Sequence, residues 1–256
     1  MCTLALYFRV FEDYPVVVAA NRDEHYDRPS LPPVLLSENP RIFGGKDLRV
    51  GGTWLGVNEH NVLAAILNRR IDACEIPVAE PRSRGLLCLD MLMFRNAMEA
   101  RTSLPREEQY EYQPFNLLIA DSTTAWAAFN VGKEIRVVQL SPGLHVFSST
   151  SRHDERSEKK ERAYLLFSGL VAGLTNSEPD LSEWVRLFKG VLADHTGSNG
   201  TGDRRDAICV HGNVSGTVSS SIIIYSKRES MFRIFFSGGP PCRNEFTETN
   251  SLRARG

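Results

Sequence analysis

The sequence is short of most features that assign a function at sight. Neither sign of charge dominates: 30 Lys and Arg stand against 31 Asp and Glu, a formal net charge of −1. Nothing therefore favours a nucleic-acid or anionic-membrane partner. No apolar run approaches the roughly 18–20 residues of a membrane-spanning helix. The first apolar stretch is broken by Arg9, Glu12 and Asp13 and has no basic segment ahead of it, so it does not read as a secretory signal. The five cysteines, Cys2, Cys74, Cys88, Cys209 and Cys242, are odd in number and form no CxxC pair. That argues against a disulfide framework or a structural zinc site and for a reducing compartment, so the expected location is the cytoplasm. The six histidines show no HExxH or HxH spacing, and no metal ligands are expected. SNGTGDRR (198–205) lacks the strand and helix of a phosphate-binding loop, and Ser219–Ser221 has no GxSxG elbow. Repeats, heptads and low-complexity tracts are absent as well.

What is present is an ordinary globular composition, 42% hydrophobic and 24% charged over 256 residues, enough chain to bury a sizeable core. It reads as one domain, 1–256, with a tail that frays from about 240. Strands are expected at 3–10, 16–21, 53–57 and 62–67, the last two joined by a turn at 58–61. Further strands are expected at 115–121, 125–131, 134–140, 144–149, 207–211, 220–226 and 230–238. Helices are expected at 84–100 with Ser83 as N-cap, at 155–172, and at 181–193 with Asp180 near its start. The proline-rich 28–40 reads as a surface excursion, 195–206 as a loop, and DERSEKKER (154–162) as a solvated first helical turn. Strands do not alternate one-for-one with helices, which disfavours a doubly wound parallel sheet. Two mainly antiparallel sheets packed together, with helices on the outer faces, bury both sides of strands such as VVVAA and SIIIY.

A cysteine directly behind the initiator methionine is the first chemical signal. A small second residue lets the methionine be removed, and Cys2 would then carry a thiol and a free α-amine, nucleophile and base in one residue. Three other stretches carry candidate groups. ANRDEHYDRP (20–29) ends a strand in adjacent opposite charges: either a solvated turn, or a fixed cation at Arg22 beside a carboxylate at Asp23 or Glu24 that orients an amine. GGTWLG (51–56) signals a bulge or close backbone approach, with Trp54 in the core or walling a pocket. Asn68 and Asn116, at strand ends, either satisfy backbone groups or donate to a developing oxyanion.

In this order MC, ANRDE, GGTWLG, Asn68, FNLLIAD and GTVSS (216–220) resemble the NRDE family, also called the transport and Golgi organisation protein 2 family, over roughly residues 1–240. The spacing of NRDE and GGTWLG is the specific part. The resemblance implies an α+β fold, the four-layer αββα sandwich of cysteine N-terminal-nucleophile hydrolases such as bile salt and penicillin V acylases. By position it implies Cys2 as nucleophile, Arg22 as thiolate partner, Asp23 as holder of the α-amine, and Asn68 and Asn116 near the oxyanion. Trp54 and Asn21 would contact substrate. The family usually has Arg where this chain has Val218. The activity implied is hydrolysis of a small-molecule, non-peptide amide without a cofactor. The alternative is a haem- or acyl-lipid-binding protein on the same fold, with Tyr7, Cys2 or His211 facing the ligand.

Overall fold

The computed structural model describes residues 2–70, 79–174, 181–197, 207–249 and 252–253. Strands β1 (Thr3–Phe8), β2 (Val16–His25), β10 (Gly143–Ser148), β11 (Ser215–Ser226) and β12 (Met231–Ser237) build the first sheet, with the short β13 (Thr247–Glu248) and β14 (Leu252–Arg253) on its edge. Its order is β10-β1-β2-β11-β12-β13, and β14 also pairs with β12. The second sheet runs in chain order through β3 (Ser30–Glu38), β4 (Arg41–Asp47), β5 (Leu55–Asn58), β6 (Leu63–Asn68), β7 (Phe115–Ala120), β8 (Ala125–Val131) and β9 (Glu134–Gln139). Neighbouring strands pair antiparallel in both sheets. Helices α1 (Arg84–Met91) and α2 (Ala97–Glu107) cover the outer face of the second sheet, and α3 (Glu158–Leu174) and α4 (Leu181–Leu192) that of the first.

Strand periodicity explains the layering. Successive side chains of a strand point to opposite faces, so Leu4, Leu6 and Phe8 of β1 join the core between the sheets. Ala5 and Tyr7 face the helices and pack with Phe167, Trp184 and Phe188. Each large side chain buried here contributes roughly 1.5–3 kcal/mol. Tyr7 is thus a core residue, its hydroxyl donating to the Phe167 carbonyl at 2.8 Å, and not a ligand-facing one.

Several boundaries differ from the sequence expectation. The single helix at 84–100 is two helices, because Asn58 Nδ2 donates to the carbonyls of Leu92 (2.8 Å) and Phe94 (2.7 Å) and ends the first. Asn96 then opens the second by accepting from the Glu99 N–H at 2.8 Å. Ser83 occupies the N-cap of α1 but makes no side-chain cap bond. Residues 30–38 form an edge strand rather than an excursion; Pro32 and Pro33 are tolerated there because one side of the strand has no ladder to feed and its register on β4 shifts between Leu31 and Pro33. Residues 207–211 form no strand, only a single bridge between His211 and Gly216. The tail is partly ordered: β13 and β14 pair with β12, and Leu252 is buried. Asp180 and most of the 195–206 loop lie outside the described residues.

Candidate active site

The register of β1 on β2 sets Thr3 opposite Asn21, which brings Cys2 to the place where the NRDE stretch begins. The sulfur lies against the backbone of Asp23: the Asp23 N–H donates to Cys2 Sγ at 3.3 Å, and Sγ lies 3.5 Å from the Asp23 carbonyl. Cys2 is half-buried and borders a cavity of about 210 Å³ together with Arg22, Glu24, Arg28, Trp54 and Asn68. A second cavity of about 200 Å³, lined by Asn68, Arg69, Arg70 and Ser149 among others, also reaches Cys2. The sulfur therefore sits where two clefts meet.

Arg22 is 6% exposed and shares this cavity with Cys2. Its guanidinium carbon stacks 4.2 Å from the centroid of the Trp54 ring, and Nη1 donates to Ser30 Oγ at 3.3 Å. Trp54 can lie behind Arg22 because its ring rests on Gly45, where a β-carbon would come within 2.2 Å of Cζ2. Gly52 allows a second close approach, since a β-carbon there would stand 2.3 Å from the Gly85 carbonyl carbon. The loop therefore docks on the start of α1, fixed by a bond from the Thr53 N–H to the Gly85 carbonyl at 3.0 Å. GGTWLG thus joins a pocket wall to the end of a helix.

Charge is dense at this mouth. Glu24 lies 4.0 Å from Arg22 and 3.9 Å from Arg28, and Arg28 pairs with Asp47 at 2.7 Å. Burial would raise the Asp47 carboxyl, but the bonds from Arg28 and from the N–H groups of Arg49 and Val50 hold it below its ordinary value. Burial, helped by the charge of Arg28, brings the Arg84 guanidinium down to about 10. Arg82 is tied to Asp90 and Glu107 at 2.5 and 3.1 Å. Arg28, Asp47, Arg82 and Arg84 were not singled out from the sequence. PRSR at 81–84 held a signal: cations at a helix N-terminus oppose the helix dipole and call for a reason.

Burial pushes the Cys2 thiol above its ordinary value; the charges of Asp23 and Glu24 add to this and the chain's amino-terminal charge opposes it. With Met1 in place the sulfur is held as a thiol at neutral pH. Burial also lowers Arg22, partly offset by Glu24 and Cys2.

The remaining candidates separate. Asn68 closes β6 at the junction of both clefts. Asn116 is fully buried and does not border either cleft. Its amide donates to the carbonyls of Ser148 (3.0 Å) and Ser151 (2.8 Å) and accepts from the His153 N–H at 3.0 Å. Both donors are engaged, so Asn116 braces the chain after β10 instead of facing an oxyanion. Asn21 does not border the main cavity but lines a small one of about 20 Å³ with Cys2, Arg22 and Trp54; its amide donates to the Leu192 and Ile208 carbonyls at 2.8 and 2.9 Å and accepts from Ser220 Oγ at 2.6 Å. The Asp23 carboxylate accepts from Thr217 Oγ1 at 2.6 Å and lies 3.7 Å from Lys159 Nζ, with both charged side chains 1% exposed. Lys159, read as part of a solvated turn, is a buried partner of the NRDE aspartate. Val218 sits at the irregularity between Thr217 and Ser219 where β11 shifts register on β2.

Comparison with solved structures shows the fold. The C2A mutant of conjugated bile acid hydrolase from Clostridium perfringens superposes with a TM-score of 0.58 at 11% identity, covering 99% of this chain and 98% of that one. Penicillin V acylase from Agrobacterium tumefaciens gives 0.57 at 11% identity over the whole of both chains. The Caenorhabditis elegans ortholog of N-acylethanolamine-hydrolyzing acid amidase gives 0.52 at 13% identity, covering 87% and 92%. The fold is that of the N-terminal-nucleophile hydrolases. By sequence, the mouse Transport and Golgi organization 2 homolog is 33% identical over 117 residues, and the human homolog is 34% identical over 115. Each match takes in 44% of this chain, and the chain spans 41% of the length of these relatives. Residues 1–234 match the family described as Transport and Golgi organisation 2, and the chain belongs to that family.

Proposed function

We propose that the protein is a cysteine amidohydrolase acting on a small, non-peptide amide, with Cys2 as an N-terminal nucleophile. The observation that carries this reading is the position of Cys2 Sγ, on the backbone of Asp23 and at the junction of two clefts that share Asn68. An amide to be cut needs room on both sides of its carbonyl, and two clefts meeting at the sulfur supply it. The solved enzymes with this fold are named as a hydrolase, an acylase and an amidase, which supports the reaction class.

The chemistry begins when removal of Met1 frees the Cys2 α-amine, whose ordinary pKa is about 7.7–8.0. The amine takes the thiol proton, and the sulfur attacks the amide carbonyl. The tetrahedral oxyanion is met by the Asn68 amide. The C–N bond breaks as the ammonium returns its proton to the leaving nitrogen, giving a thioester and a free amine. Water, deprotonated by the same α-amine, then cleaves the thioester to a carboxylic acid and restores the thiol. Arg22 keeps a positive charge beside the sulfur throughout. A cavity of about 210 Å³ lined by charged groups is small beside the roughly 300–1,000 Å³ of pockets for larger ligands. This favours a compact polar amide over the haem or acyl-lipid ligand of the binding-protein alternative.

The test combines intact-mass measurement of the purified protein with a thiol-reactive probe and a panel of N-acyl amides followed by mass spectrometry. The expected result is a processed chain labelled at Cys2 and turnover abolished by Cys2→Ala. Turnover that persists in Cys2→Ala would overturn the proposal, as would a processed chain whose Cys2 neither labels nor turns over any amide of the panel.

A further inference from the structure

Four side chains from three separate stretches converge beyond the candidate active site: His195, just past α4; Cys209 and His211, on the segment leading to β11; and Cys242, beyond β12. Cys209 Sγ lies 3.8 Å from Cys242 Sγ and 3.8 Å from His211 Nε2. His211 Nε2 lies 3.3 Å from Cys242 Sγ, and one nitrogen or sulfur atom from each of the four residues falls within 4.8 Å of all the others. We infer that these residues form a tetrahedral Cys2His2 site for a structural zinc ion.

The distances argue for a metal rather than chance proximity. Zinc binds thiolate at about 2.3 Å and imidazole at about 2.0–2.1 Å, which gives tetrahedron edges of about 3.8 Å between sulfurs and about 3.5 Å between sulfur and nitrogen. The observed edges of 3.8, 3.8 and 3.3 Å match this pattern. A disulfide would instead bring the sulfurs to about 2.05 Å. His195 supplies a further sign: its Nδ1 lies 3.1 Å from the Cys209 carbonyl. A proton on Nδ1, donated to that carbonyl, leaves Nε2 bare and oriented, the usual arrangement around a metal-bound histidine. Two sulfurs and two imidazoles in a tetrahedron select zinc among the common divalent ions, and four protein ligands leave no open position, which makes the site structural.

The surroundings give the ion a task. Residues 207–211 lack strand pairing beyond one bridge, yet Ala207, Ile208, Cys209 and Val210 are buried. The Val210 N–H donates to Thr217 Oγ1 at 2.9 Å, and the Thr217 N–H donates to the Val210 carbonyl at 2.8 Å. Thr217 Oγ1 in turn donates to Asp23. A metal joining Cys209 and His211 to Cys242 and His195 would hold this segment against the first sheet and fix the threonine that contacts the NRDE aspartate. The expectation of no metal ligands is corrected here: no paired spacing marks them, because they come from three separate parts of the chain.

The experiment is elemental analysis of the full chain expressed with zinc and purified under reducing conditions, together with cobalt substitution. The expected result is about one zinc per chain, falling below about a tenth in Cys209→Ser and Cys242→Ser. The cobalt form should show tetrahedral d–d bands and a thiolate-to-cobalt charge-transfer band, the latter weakened in Cys242→Ser. Because Cys209 is buried, its variant alone does not separate loss of zinc from loss of fold, and exposed His195 provides the second variant: His195→Ala should fold and lose zinc to a chelator at least about tenfold more readily. A folded, reduced wild type without stoichiometric zinc and without the cobalt spectrum would overturn the inference. So would zinc content unchanged in both cysteine variants, or a Cys209–Cys242 disulfide in the freshly purified chain.

Discussion

Replacing Lys159 by Met tests whether the buried pair beneath the NRDE stretch holds the molecule together. Lys159 Nζ lies 3.7 Å from Asp23 Oδ2, and both side chains are 1% exposed. Methionine keeps most of the volume of the lysine stem, so the change removes the charge with little loss of packing. The Asp23 carboxylate keeps its bond from Thr217 but loses the buried cation. Breaking a buried pair from one side costs about 3–5 kcal/mol, because the remaining charge stays out of water with this cation gone. For a chain of this size each kcal/mol moves the melting temperature by roughly 2–4 °C, so Lys159→Met should melt roughly 6–20 °C lower. Asp23→Asn retains an acceptor for Thr217, and the double variant Asp23→Asn/Lys159→Met leaves no charge stranded. It should recover at least about 1 kcal/mol relative to the sum of the single changes. Thermal melts and urea titrations of the four proteins give the cycle directly. If Lys159→Met melts within about 2 °C of wild type, or the two changes add without coupling, the assignment of Lys159 as the partner of Asp23 is wrong.

Gly45→Ala should displace the Trp54 ring that backs Arg22, since the added carbon would stand 2.2 Å from Cζ2. The expected cost is about 1–3 kcal/mol with slower labelling of Cys2, read by melts and probe kinetics; unchanged labelling would detach Trp54 from the site. Asn116→Ala should lose more than about 2 kcal/mol by stranding buried carbonyls while the folded fraction labels Cys2 normally. Asn68→Ala should do the reverse, with near-native stability and little turnover. Burial, with the charges of Lys160 and His145, brings His153 down to about 3, against about 6.5 in the unfolded chain. The unfolded state therefore takes up a proton first as the pH falls. Stability is fully present above pH 6.5 and is lost below it, by on the order of 2 kcal/mol at pH 5. In His153→Phe that dependence between pH 6.5 and 5 should flatten when urea unfolding is compared across pH.

The fold class was legible because the strands carry apolar residues on both faces, as Val16–Ala20 and Ser221–Tyr225 do, and only an inner strand with covers on both sides accommodates that. Cys2, Arg22, Trp54 and Asn68 were legible as local oddities, and the structure brings them to one cavity. What escaped was set by partners distant along the chain. Asn58 ends α1 by reaching the Leu92 and Phe94 carbonyls, and nothing local to 84–100 announces that break. Lys159 lies in a charged run whose composition indicates a wet surface, yet it pairs with a carboxylate 136 residues away (159 − 23). Asn116 and Asn21 look like site amides by residue type, and only their three engaged bonds each reveal them as braces.

The NRDE stretch itself now reads as two interleaved pairs. Side chains of β2 alternate between the sheet's faces, with Val18 and Ala20 in the inner core and Val17 and Ala19 in the outer one. Continuing the alternation, Arg22 and Glu24 fall on the inner side, where Arg22 meets Trp54 and Glu24 lies between Arg22 and Arg28. Asn21 and Asp23 fall on the outer side, where one ties Leu192 to Ile208 and the other meets Thr217 and Lys159. Four consecutive polar residues at the end of an apolar strand would be costly if all were buried on one face. Divided between two faces, each finds partners, and the strand end is held from behind while its front presents charge to the cleft. The sulfur of Cys2 rests on the backbone between these pairs, at the Asp23 N–H. Its position therefore depends on the outer braces as much as its surroundings depend on the inner charges.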